Sequence, residues 1–195
     1  MKETLIMKHI TFIITFIVFI SCSSKVLLND GYTKIPSNPK VFNNRIYFNK
    51  SVLAIIDTNA IYEEFQTNQY NGFEKQQNIL ARNSYKNSNT VYGVYKFYSN
   101  GNINLFYLDR TKPELTAEMF DPALTGWRGV LYIKNNKIFG DIFTQTGQMS
   151  YQTRIQTNEL SIIGDTLFVK LKNLHKYSYV KRKIDPSILN HNANW

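Results

Sequence analysis

The sequence has little of the chemistry that metal sites and nucleophilic catalysis need. Its 195 residues include one cysteine, Cys22, and three histidines, of which only His175 lies away from the signal-like leader and the C-terminal tail. A single cysteine cannot form an intramolecular disulfide, and zinc sites or cysteine and histidine catalysis require more such side chains. No Gly-rich phosphate loop is present either. The sequence therefore predicts no enzyme activity, no metal and no cofactor.

The sequence also lacks an apolar run long enough to cross a bilayer. The longest run covers residues 10–20 and would span roughly 16 Å as a helix, against a hydrocarbon core of about 30 Å. It follows a weakly basic leader in which Met1 and Met7 are both possible starting residues. This arrangement is typical of a secretory signal peptide, which we assign to residues 1–21.

The end of this run, Phe19-Ile20-Ser21-Cys22, resembles the lipobox of bacterial lipoproteins, although leucine is commoner where Phe19 stands and Ile20 is bulkier than usual. The resemblance covers about the first 25 residues. It implies a diacylglyceryl thioether on Cys22, an amide-linked acyl chain such as palmitate, and a membrane anchor without a transmembrane helix. The alternative is an ordinary secretory signal with an incidental cysteine. The resemblance implies the cell envelope, with the outer membrane favoured and the leaflet left open.

The formal net charge of +9 raises two kinds of anionic partner, nucleic acid and an anionic membrane surface. An exported lipoprotein meets little nucleic acid but does meet anionic lipid. We therefore expect no nucleic-acid partner and an electrostatic attraction to the membrane that carries the anchor.

Strand-forming residues and turn signals dominate the rest of the chain. Aromatic residues make up 14% of it, with 13 Tyr and 13 Phe, which favours strands over helices. Asn100-Gly101, Asn135-Asn136 and Gly164-Asp165 each predict a hairpin turn. Further strands are expected at 41–48, 52–57, 149–155 and 177–183, and a short helix is expected at 113–120. The pattern predicts a mainly β fold, an antiparallel meander that closes into a barrel or a related sandwich, with one or two short helices.

The hairpins also predict registers. A two-residue turn at Asn100-Gly101 would place Tyr98 opposite Ile103, and Tyr95 on the same face as Phe106. The second hairpin pairs Ile133 with Ile138, and the third pairs residue 162 with 167. In size and meander topology the chain resembles small lipocalin-type barrels, without their glycine-Trp signature on the first strand, since Trp127 lies in mid-chain.

Four regions follow from these features. Residues 1–21 are the signal peptide, 22–40 a lipidated N-terminus and tether, 41–184 the β-barrel domain, and 185–195 a polar C-terminal tail that docks through Ile188, Leu189 and Trp195. A long surface connection is expected at 68–90, because few of its residues are apolar.

Aromatic residues on both faces of the ribbons suggest a ligand site. The candidate residues are Tyr95, Phe106, Trp127, Arg128, Tyr132 and Phe139. An indole beside a guanidinium can hold an anion or a sugar, and the alternative is a Trp anchor with Arg128 stacked on it. A glycosidase pair could be drawn from Glu63, Glu64, Asp109 and Asp141, but solvated or turn-capping carboxylates are the favoured interpretation.

These observations lead to two function hypotheses. The first is a membrane-anchored, non-catalytic envelope lipoprotein that binds a small apolar or amphipathic molecule in its barrel. The alternative is a structural or interaction module of a cell-surface complex, which binds an envelope protein or a glycan.

Overall fold

The fold is an eight-stranded antiparallel barrel with a two-stranded sheet beside it. The computed structural model describes residues 25–68, 91–112, 114–145, 152–172 and 176–195. These residues form ten strands: β1 Lys25–Leu27, β2 Lys34–Pro36, β3 Ile61–Asn68, β4 Val91–Phe97, β5 Asn102–Asp109, β6 Trp127–Lys134, β7 Lys137–Gln145, β8 Thr153–Ile163, β9 Thr166–Lys170 and β10 Lys176–Arg182. β3 to β10 pair in chain order, and β10 closes on β3. The expected meander is confirmed, and it closes as a barrel rather than a sandwich.

The helices of the described residues are all short 3-10 turns. They cover Pro39–Val41, Asn43–Tyr47, Lys50–Ala54, Ala117–Phe120 and Pro186–Leu189. None of them is long and apolar enough to cross a membrane. The helix expected at 113–120 is reduced to its last turn, and Thr111 hydrogen-bonds the Asp109 carboxylate instead of capping it.

Two of the three hairpins have the register that their turns predict. Asn135 and Asn136 both have positive φ, 51° and 58°, as a type I′ turn requires. Ile133 accordingly pairs with Ile138. In the third hairpin Gly164 has φ 58° and residue 162 pairs with 167. Local turn chemistry determines both pairings.

The register predicted for the first hairpin is wrong by one residue. Only Gly101 has positive φ, 82°, and the amide of Tyr98 donates to the carbonyl of Asn102, so the loop has three residues. Phe97 therefore pairs with Ile103. Tyr95 faces the barrel interior as a result, whereas Phe106 faces outward, because a one-residue slip reverses the face of a side chain.

The strands expected at 41–48 and 52–57 are also wrong, since 3-10 helices occupy both stretches. The side chain of Asn49 caps the helix Lys50–Ala54 by accepting from the Ser51 amide at 2.9 Å. This segment closes one end of the barrel, where Val52 and Ile56 are fully buried in the same cluster as Tyr62. Filling that end offers more apolar burial than an extra strand on the outside would.

Alternating residues divide the apolar side chains into an interior and two outer layers. The interior cluster includes Tyr95, Leu105, Trp127, Leu131 and Tyr179. The first outer layer covers β3 to β5 with residues 115–120 and 184–189. In the second, Phe42 and Trp195 cover Val130 and Phe143.

The two ends of the described chain belong to the folded body. Residues 26–40, expected to be a tether, contain β1, β2 and the buried Leu28, Thr33 and Ile35. At the other end the Trp195 indole donates to the carbonyl of Gly129 at 3.1 Å. Cys22, the connection 69–90, residues 149–151 and His175 lie outside the described residues.

Candidate ligand-binding surfaces of the barrel

The two ends of the barrel differ in how they are closed. The hairpin turns at 98–102, 135–136 and 164–165 lie at the end that the helix Lys50–Ala54 fills. The connections β3–β4, β5–β6, β7–β8 and β9–β10 leave from the opposite end, which we call the open end. Among the described inward-facing side chains near this end, Tyr107 keeps 41% of its surface exposed, so a ligand could reach this part of the lumen from solvent.

Glu64 and a group of tyrosines line the lumen near the open end. Tyr179 pairs with Glu64 on one side, and Tyr107 pairs with Gly93 on another. The ladder between β3 and β4 ends at Glu63 and Val94, and the Gly93 amide donates instead to Oε2 of Glu64 at 2.7 Å. A Cβ atom on Gly93 would lie 3.1 Å from this oxygen and 3.4 Å from the Tyr179 ring. The Glu64 carboxylate thus lies inside the barrel and occupies the space that a side chain at position 93 would fill.

Burial shifts the titration of these tyrosines. Desolvation, reinforced by the negative charge of Glu64 and by neighbouring tyrosines, raises the pKa of Tyr107 to about 12. The pKa values of Tyr177 and Tyr179 are raised for the same reasons. Burial also raises the pKa of Tyr95, which a hydrogen bond with Asn158 partly offsets. Tyr107 nevertheless keeps 41% of its surface exposed, so solvent enters this half of the lumen.

Side chains fill the lumen beyond this level. The rings of Tyr95 and Tyr179 meet edge to face with centroids 4.8 Å apart, and both residues are at most 5% exposed. Leu131, Ile142 and Leu167 close the space below them. A ligand of the lumen would consequently occupy the open half only.

A separate cleft lies where β8 and β9 part. β8 pairs with β7 over residues 153–160 but with β9 only over 159–163, so β8 continues towards the open end beside no described strand. Beside this free edge is a cleft of about 680 Å³. The cleft falls within the roughly 300–1,000 Å³ range of pockets that hold small molecules.

The cleft combines apolar surface with an excess of positive charge. Phe139, Ile155 and Leu171 supply apolar surface, and Arg154, Lys170 and Lys172 supply three positive charges. Glu159 is the one carboxylate among the described residues of the lining, and it forms an ion pair with Lys137 at 2.8 Å. This hydrogen bond lowers the pKa of Glu159. Such a surface fits a molecule with an apolar body and an anionic group.

The six residues that the sequence singled out lie in different places. Tyr95 and Trp127 are in the interior, and Phe106 is outside against Phe120. Arg128 lies over the ring of Trp195 at 5.0 Å, not over Trp127, and donates to the carbonyl of residue 122. Tyr132 and Phe139 are stacked on the outer wall at 5.6 Å, and Phe139 alone of the six lines the cleft. The structure does not bring the six together.

The four candidate carboxylates are also dispersed. Glu63 faces outward and pairs with Arg182 at 2.7 Å, while Glu64 faces the lumen. Asp109 ends β5, and its carboxylate accepts hydrogen bonds from the amide and hydroxyl of Thr111, which lower its pKa. Asp141 is buried on the outer wall, where Asn44, Tyr132 and Thr157 donate to it. Among the described residues no three His, Cys, Asp or Glu side chains are grouped to hold a metal ion.

Sequence reasoning missed both surfaces. Alternation along β3 could have placed Glu64 beside the interior Tyr62, but the register of β10 against β3 was needed to bring Tyr179 to it. The cleft forms because β9 is shorter than β8, and no local sequence pattern predicts that difference in length.

Together these features define an antiparallel eight-stranded barrel with one filled end, an open end and a lateral cleft. No protein-family model, curated protein or solved structure matches the chain.

Proposed function

We propose that the protein is a lipid-anchored lipoprotein of the cell envelope whose barrel binds an amphipathic small molecule without catalysing a reaction on it. The observation that carries the binding part is the cleft between β8 and β9, with apolar residues and three cations around about 680 Å³. An eight-stranded barrel is large enough for one small ligand, and lipocalin-type barrels use the architecture in this way. The positive lining favours a carboxylate, phosphate or sulfate head group.

The anchoring part of the proposal rests on the first residues of the chain. Cys22 follows an apolar run in the position that a lipobox requires, and the chain has no other cysteine. A thioether-linked diacylglyceryl group with an added acyl chain gives stable membrane attachment. Removal of residues 1–21 takes away Lys2, Lys8 and Glu3, and the remaining 21 basic and 13 acidic residues leave a net charge of +8 that adds attraction to anionic lipid.

Native mass spectrometry tests the binding part. The full chain, purified in a nonionic detergent, should carry extra mass of a few hundred daltons that is released on unfolding. Phe139→Ala should lower the bound fraction, since it removes the aromatic wall of the cleft. Phe168→Ala is the matched control, because Phe168 also faces outward on the neighbouring strand but does not line the cleft. A bare mass for the wild-type chain, or equal loss in both variants, would contradict small-molecule binding at this cleft.

The anchor has its own test. Cys22→Ser should abolish incorporation of labelled palmitate, whereas wild-type chain should incorporate it and partition with membranes. Incorporation that persists in the variant would show that Cys22 is not the modified residue. The outcome does not depend on whether the cleft binds a ligand.

One observation favours the alternative of an interaction module. Residues 153–158 of β8 have no described strand beside one edge, and extended peptides bind such edges by adding a strand. In that case crosslinking in intact envelopes should capture a stoichiometric protein at β8, and the purified chain should carry no small molecule.

A further inference from the structure

Glu64 is a carboxylate inside the barrel, and none of the described lysines and arginines pairs with it. Its only hydrogen bond among the described residues is the one from the Gly93 amide at 2.7 Å. The ion pairs of the described residues involve other acids, Glu63 with Arg182 and Glu159 with Lys137 among them. A carboxylate away from bulk water is stabilised by a positive charge, and no described residue forms an ion pair with Glu64.

Tyrosine rings surround this carboxylate. Tyr179 is its partner on β10, and the ring of Tyr179 lies beside the Gly93 position that the carboxylate covers. Tyr177 is the inward-facing residue of β10 that follows Tyr179 towards the open end, and it packs on the interior cluster. On the other side Tyr107 pairs with Gly93 and keeps 41% of its surface exposed. Glu64 raises the pKa of all three tyrosines, as a nearby negative charge does.

We propose that the open half of the lumen is a second binding site, one for an organic ammonium group, with Glu64 as the counter-ion, the rings of Tyr107 and Tyr177 as the walls and the buried Tyr179 as the floor. Aromatic faces attract cations through their quadrupole, and several rings around one carboxylate form the usual cage for alkylammonium groups. A divalent metal ion fits less well, since it needs several oxygen ligands and Glu64 is the carboxylate that the described residues place in the lumen. This site is distinct from the cleft, whose lining carries excess positive charge.

Two compounds of the same shape, one cationic and one neutral, test whether the site recognises the positive charge of the ligand. The full chain in nonionic detergent is titrated calorimetrically with choline and with 3,3-dimethylbutan-1-ol, in which carbon replaces the ammonium nitrogen. The choline isotherm should saturate, and the neutral alcohol should bind at least about tenfold more weakly, because both the carboxylate and the rings act on the charge. Absence of saturable choline binding, or equal binding of the two compounds, would overturn the proposal.

Two neighbouring carboxylates identify the residue responsible. Glu64→Gln should weaken choline binding by about tenfold, since it removes the lumen charge and keeps a hydrogen-bond acceptor for Gly93. Glu63→Gln is the matched control, because Glu63 is the next residue on β3 but faces outward to Arg182. Equal losses in the two variants would contradict the assignment.

The walls are tested at Tyr107, which is exposed enough to be replaced without disturbing the core. Tyr107→Phe keeps the aromatic face and should bind choline within about twofold of the wild type, whereas Tyr107→Leu should lose several-fold. Equal affinities of the Phe and Leu variants would show that the ring face does not hold the cation. This comparison remains decisive if Glu64→Gln fails to fold.

Discussion

Raising the pH above 10 should unfold the barrel, because buried tyrosines keep their protons in the folded state. Burial beside Asp141 raises the pKa of Tyr132 from 10.0 to about 12, and this residue is only 3% exposed. Between these values the unfolded chain loses the phenolic proton while the folded chain retains it. The stabilisation is complete below pH 10 and is lost as the pH rises towards 12.

The magnitude follows from the size of the shift. A shift of about two pKa units removes roughly 2 kcal/mol at Tyr132 by pH 12, where the folded-state phenol is itself half ionised. Tyr95 and Tyr179 are at most 5% exposed and burial raises their pKa values too, so both act in the same direction. The loss at Tyr132 alone is a sizeable share of the total stability of about 5–15 kcal/mol for a typical domain.

Urea unfolding at pH 9, 10, 11 and 12, followed by far-UV circular dichroism, measures this loss. Phenolate absorbance should rise together with unfolding rather than before it. Tyr132→Phe should reduce the loss of stability between pH 10 and pH 12 by roughly 2 kcal/mol, whereas Tyr47→Phe, at a ring that is 47% exposed, is the matched control and should leave that loss unchanged. If all tyrosines ionised near pH 10 while the barrel stayed folded, the reasoning from burial would be refuted.

Three further perturbations are expected to act on single features of the fold. Lys96 is 4% exposed, and burial lowers its pKa from 10.5 to about 8. Lys96 alone should therefore add about 2 kcal/mol of stability from pH 8 to pH 10, below the range in which the tyrosines ionise, and Lys96→Met should abolish this contribution in urea unfolding curves. A methyl group at Gly129 would overlap the backbone carbonyl of Asp141, so Gly129→Ala should destabilise by roughly 1–3 kcal/mol in thermal denaturation, with the exposed Ser161→Ala unchanged. Deletion of residues 185–195 removes the Trp195 hydrogen bond and the cover of Ile188 and Leu189, and should lower the unfolding free energy by about 3 kcal/mol or more. An unchanged midpoint would show that the tail does not stabilise the barrel.

The local sequence was sufficient to predict a hairpin register where the turn residues favour a single loop conformation. Asn135-Asn136 and Gly164-Asp165 predicted their registers because the residues tolerate positive φ and the flanking strands alternate cleanly. Asn100-Gly101 allowed two loops, of two or three residues, and the three-residue loop places Phe97 and Ile103 in the interior together. The choice between them depends on the rest of the barrel, which the dipeptide does not contain.

The amino-acid sequence by itself determined the class of fold, since alternation and consecutive hairpin turns permit little besides an antiparallel meander. It also determined the prediction of a signal peptide and lipobox, which rests on the order of residues 1–25 alone. The tertiary structure decided which stretches fill the closed end, where the apolar residues 52–56 act as a plug instead of a strand. It also decided both candidate sites. The tyrosines near Glu64 come from strands that are far apart in the sequence. The cleft forms because β9 ends opposite Glu159, whereas β8 extends further, to Thr153. Both sites therefore depend on pairings between distant segments, which local patterns do not encode.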